Sequence, residues 1–105
     1  MAVKHANDET FDSMIASGLT LVDFWATWCG PCQMFGPIFE DASESRPDVN
    51  FVKFEIDEKN RRTPAKFGIR SIPSVLAFKN GEIIEARTGL MDEETLIQWI
   101  EELKG

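Results

Sequence analysis

Cysteine and histidine are scarce in this chain, with two of the first and one of the second among 105 residues. A secreted scaffold held by disulfides needs more cysteines than that. A structural zinc site needs four ligands, and Cys29, Cys32 and the distant His5 fall short of it. Basic residues are also in deficit, 11 Lys and Arg against 18 Asp and Glu for a net charge of -7, which disfavours nucleic acid as a partner. The acidic balance reads as solubility. No run approaches the roughly 18 apolar residues of a membrane span. The opening residues Met1 to Asp8 lack the basic start and apolar stretch of an export leader, so a cytoplasmic protein is expected. In a reducing compartment a lone cysteine pair is held as thiols and used transiently. What is present suffices for one domain over residues 1–105, since 43% of the chain is hydrophobic, including eight Phe and three Trp. No repeat or low-complexity tract interrupts it.

The two cysteines stand three positions apart in Trp28-Cys29-Gly30-Pro31-Cys32-Gln33, directly after the apolar run Leu19 to Ala26. Where a strand ends and a helix begins, positions i and i+3 turn to one side, close enough for their sulfurs to join. A bridge closing so short a loop stabilises a fold by only about 2 kcal/mol, against about 4.7 kcal/mol for a 100-residue loop. Redox chemistry is therefore the better reading than a staple.

Periodicity places the elements around this motif. Asn7 or Asp8 caps a first helix through Phe11, Met14 and Ile15 that stops at Gly18. A strand over Thr20 to Ala26 leads into a helix carrying Met34, Phe35, Ile38 and Phe39, with a bend expected at Pro37. Asn50 to Asp57 alternates as a strand, and a short helix lies near Pro64 to Phe67. Ile72 to Lys79 and Glu82 to Thr88 form a hairpin about Asn80-Gly81. A last helix takes Asp92 as cap, Leu96, Ile97, Trp99, Ile100 and Leu103 as buried stripe, Met91 as staple onto Leu96, and Lys104 at its carboxyl end. This order implies an α/β fold, a mixed central β-sheet with helices on both faces.

Cys29, at the helix amino terminus, meets unpaired N-H groups and the positive end of the helix dipole, which favour a thiolate and make it the expected nucleophile. Cys32, one turn in, is the expected resolving thiol. Gly30 lets a substrate chain come close, and Pro31 sits in the first turn, where its missing N-H costs no helical bond. Asp23 interrupts Leu21-Val22-Asp23-Phe24-Trp25 in a strand expected to be covered on both faces, so its carboxyl should be buried and its pKa raised. Lys53, in the middle of the next long strand, is placed to pair with it; the plainer alternative puts both at the surface. Ile72-Pro73 is a candidate cis peptide.

Val22 to Cys32, Ile72-Pro73, Phe78-Lys79-Asn80-Gly81 and Gly89 together resemble the thioredoxin family, over essentially the whole chain. The resemblance implies the thioredoxin fold, in which parallel strands carry an antiparallel hairpin at one edge. It implies protein-disulfide reduction without a bound cofactor or metal, by a monomer that receives electrons from an NADPH-linked thioredoxin reductase. It makes Asp23 the general base that takes the proton of Cys32, through a water. It sets Ile72 and Pro73 against the dithiol, where the Ile72 backbone hydrogen-bonds an extended substrate and Pro73 keeps metals from the thiols. With Trp28, Gly30, Pro31 and Gly89 they form a flat, mostly apolar docking patch. Trp25 is read mainly as packing. Gln33 departs from the family, which commonly has a basic residue there, and Phe67 stands as core in a chain with no tyrosine. Gly30-Pro31 argues against an oxidant or isomerase of the same fold, and a pure binding module would keep its function with both cysteines replaced by serine.

Overall fold

The apolar residues of strand β2 (Leu19–Trp25) point alternately to two sides, and each side is covered. The computed structural model describes residues 2–105. Leu21 joins a core that α2 (Gly30–Ser45) supplies with Phe35, Phe39 and Ala42 and α4 (Glu93–Lys104) with Leu96, Trp99 and Ile100. Val22 and Phe24 join the opposite core with Phe11 of α1 (Phe11–Met14) and with Phe67, which follows α3 (Arg62–Lys66). The second core is an aromatic cluster, in which the Phe11 ring centre lies 5.5 to 6.2 Å from those of Phe24, Phe54, Phe67 and Phe78.

The five strands run in the order β1-β3-β2-β4-β5, where β1 is Val3–Ala6, β3 Asn50–Glu55, β4 Ser74–Lys79 and β5 Glu82–Thr88. Strands β1 and β2 lie parallel to β3, whereas β4 pairs antiparallel with both β2 and β5. This is the expected mixed sheet with helices on both faces. Asn80 and Gly81 both take positive φ, 50° and 89°, as a two-residue hairpin turn requires.

The amino-terminal reading needs correction. Residues Val3–Ala6 form edge strand β1, which short length and exposure conceal, because of its four residues only Val3 is buried. Neither Asn7 nor Asp8 caps α1. Asn7 makes a local turn, its Oδ1 accepting from the N-H groups of Glu9 and Thr10, both at 2.9 Å. Asp8 instead caps α3 from across the chain, accepting from the N-H groups of Arg62 at 3.0 Å and Thr63 at 2.9 Å. Partial burial opposes ionisation of Asp8, but the Thr63 and Arg62 donors outweigh it and hold the carboxyl below its usual range.

At α4, Asp92 Oδ1 accepts from Thr95 N-H at 2.8 Å, and Met91 and Leu96 are buried in one cluster, the staple expected from the sequence. Helix α2 continues through Pro37, although the ring removes the donor that would have met the Gln33 carbonyl.

Candidate active site

The chain leaves β2 at Trp25 and enters α2 at Gly30, so Cys29 is the residue that caps α2, with extended backbone angles of φ -99° and ψ 112°. Its sulfur accepts from the Cys32 N-H at 3.2 Å, one of the amides that a helix start leaves without a backbone partner. Cys29 and Cys32 are joined as a disulfide, with their Cα atoms 5.3 Å apart. Both are largely buried, Cys29 at 6% and Cys32 at 3% exposure. Ala26, Trp25 and Ile72 pack around them.

The turn before β4 closes the other side. Ile72-Pro73 is cis, and the Ile72 carbonyl oxygen lies 3.8 Å from Cys29 Sγ. The N-H of Gly89, a residue at φ 95°, donates to the Pro73 carbonyl at 2.8 Å and ties the end of β5 to this turn. Trp28 is 78% exposed. Gly30 and Pro31 are exposed beside it, Ile72 is half-buried and Pro73 is buried. Five of the six residues named from the sequence for docking thus lie in the two segments that border the disulfide, and Gly89 is tied to one of them through Pro73. Gln33 Nε2 donates to the Thr27 carbonyl at 3.2 Å, a neutral tie across the loop.

Asp23 lies two residues before Trp25 on the α2 side of β2 and is 1% exposed. Among the described residues neither of its oxygens meets a hydrogen-bond partner, and the buried Trp25 Nε1 is likewise unpaired. Burial pushes the Asp23 carboxyl up to about 7, against the pull of the Lys53 ammonium and with the Glu40 carboxylate adding to the rise. Lys53 is the cross-strand neighbour of Asp23 on β3, as the sequence reading placed it, and its side chain is only 11% exposed. Its Nζ donates to Glu40 Oε2 at 3.2 Å and lies 5.2 Å from the Trp25 ring centre. Glu40 was not visible as a site residue from the sequence. Its spacing of eight from Cys32 puts both on one side of α2, but its link to Lys53 crosses from helix to sheet.

Among the described residues no three His, Cys, Asp or Glu side chains converge as metal ligands would, and no helix is long and apolar enough to cross a membrane.

A two-cysteine disulfide at a strand-to-helix junction, flanked by a cis-proline turn and a buried carboxyl, defines a thiol-disulfide exchange protein. The thioredoxin family model matches residues 2–102. The chain is 44% identical to thioredoxin of Staphylococcus saprophyticus over 102 residues, covering 96% of this chain and 97% of the relative. It is 45% identical to thioredoxin of Listeria monocytogenes, covering 90% and 91%, and 40% identical to that of Bacillus subtilis, covering 91% and 92%. The chain belongs to the thioredoxin family. Its activity is protein-disulfide reduction by thiol-disulfide exchange, and thioredoxin reductase and disulfide-bearing proteins are its partners.

Proposed function

We propose that Cys29 is the attacking thiol and Cys32 the resolving one. The reading rests on one observation above all, that Cys29 caps α2 and its sulfur accepts the Cys32 amide, a setting that stabilises negative charge on sulfur. The Cys29 thiolate attacks one sulfur of a substrate disulfide, forming a mixed disulfide and expelling the other sulfur, which takes up a proton. Asp23 accepts the proton of the Cys32 thiol through a water. The Cys32 thiolate then attacks Cys29, and the second substrate sulfur leaves as a thiol. Two electrons pass to the substrate and the protein is left oxidised. Lys53, beside Asp23, moderates the proton affinity of that base.

Trp28, Gly30, Pro31, Ile72, Pro73 and Gly89 dock the substrate, with the Ile72 backbone pairing to an extended chain in the manner of strand addition. The exposure of Trp28, Gly30 and Pro31 and the lack of charge among all six suit many partners rather than one. The protein works as a single-domain cytoplasmic monomer over residues 1–105, its reductase drawing on NADPH. Trapping tests the order of attack. Cys32→Ser should accumulate a mixed disulfide with a substrate protein through Cys29, and Cys29→Ser should not; the reverse result would exchange the two roles.

A further inference from the structure

The direct cross-strand neighbour of Asp23 is Lys53, yet the ammonium makes its hydrogen bond to Glu40, at 3.2 Å. The space it occupies is kept open by Gly36, where an added methyl would stand 3.3 Å from Nζ. Gly36 and Glu40 lie four residues apart, one above the other on α2, whose first turn carries Pro31 and Cys32. One helix therefore sets both the dithiol and the position of the only ammonium that reaches Asp23 among the described residues.

We infer that Glu40 is a positioning residue of the proton-transfer site, which holds the Lys53 ammonium away from a direct ion pair with Asp23 and so leaves that carboxyl free to take a proton. The inference rests on the proposed role of Asp23 as base. A closed Asp23-Lys53 pair in a dry interior would stabilise the carboxylate and weaken it as a base. With Glu40 in place, neither Asp23 oxygen is engaged and Lys53 acts on it through space.

The other charged or titratable groups on this side of the sheet are committed, exposed or farther along it; His5, in register with Lys53 on edge strand β1, is exposed and separated from Asp23 by β3. Glu55, two residues beyond Lys53 on β3, pairs in register with Trp25. On β5, Glu85 accepts from Trp99 Nε1 at 2.8 Å, and the Arg87 guanidinium sits 5.2 Å from the Trp99 ring centre. Strand β4 offers Val75 opposite Asp23, α4 offers Leu96, Trp99 and Ile100, and both α2 cysteines are in the disulfide.

The test follows the Asp23 carboxyl carbon by NMR through a pH titration of the oxidised protein, in wild type, Glu40→Gln, Lys53→Met and the double variant. Glu40 is partly exposed, so Glu40→Gln should fold. The midpoint in Glu40→Gln should fall by about one pH unit or more as Lys53 turns to Asp23. With Lys53 replaced by Met, the same change should move it only slightly. An unchanged or raised midpoint in Glu40→Gln, or an equal fall with and without Lys53, overturns the inference. The base role of Asp23 is read separately, from the pH profile of mixed-disulfide release. A moved midpoint with an unmoved release profile sinks the base and leaves the positioning standing. An unmoved midpoint with Asp23→Asn still slow in release sinks the positioning alone.

Discussion

Asp23 is a carboxyl buried without a partner beside a disulfide, and the cost of that arrangement has a readable sign. Its folded-state pKa, about 7, exceeds the ordinary 3.8, so the folded protein holds the proton more tightly than the unfolded chain does. The stability that this proton supports is fully present below pH about 4 and is lost as pH rises through about 7. A shift of this size corresponds to about 4 kcal/mol. Asp23→Asn should therefore gain stability relative to wild type between pH 5 and pH 8, by up to about 4 kcal/mol, in denaturant unfolding of the oxidised protein. The same variant should release substrate from the mixed disulfide more slowly, by up to about 10²-fold, with its dependence on pH near 7 removed. Unchanged release across pH would defeat the base role.

At the scale of elements, two acidic caps carry opposite lessons about how much of the fold the sequence makes legible. Asp92 caps its own helix, with Met91 and Leu96 bracketing it, and three local signals agree on one boundary. Asp8 stands 54 residues from Arg62 in the chain, so its service to α3 is a tertiary fact that no local pattern encodes. Strand β1 escapes for a related reason: with one buried side chain, its pairing to β3 is carried by backbone bonds, which leave no mark in composition. The site divides the same way. Cys29, Cys32 and Asp23 break the pattern of the segments that hold them and are legible, whereas Glu40 acquires its place only when α2 packs on β3. Asp8→Ala should destabilise the protein by about 1–2 kcal/mol and Asp92→Ala by about 1 kcal/mol. The caps serve different helices and share no partner, so the double variant should be close to additive in denaturant unfolding. A large coupling between them would mean that α3 and α4 do not respond independently.

For the molecule as a whole, the sheet brings the turn with Ile72 and Pro73 against the disulfide, next to the loop with Trp28, and Gly89 after β5 is tied to that turn. Trp28→Ala should raise KM for protein substrates, by about tenfold for the loss of one exposed aromatic contact worth about 1.4 kcal/mol. It should leave the dithiol-disulfide equilibrium in a small-thiol buffer nearly unchanged, because Cys29 still caps α2 and still accepts the Cys32 amide. A shift in that equilibrium as large as the change in KM would place Trp28 in the electrostatics of the dithiol rather than in docking.

The central claim is that the Cys29-Cys32 couple donates electrons to protein disulfides. Equilibrating the protein against a thiol buffer of known potential, with Trp25 and Trp28 fluorescence as the readout, measures that tendency directly. The account predicts a reduction potential near about -270 mV, the general value for thioredoxin. A value of about -180 mV or higher would mark an oxidant or isomerase and contradict it.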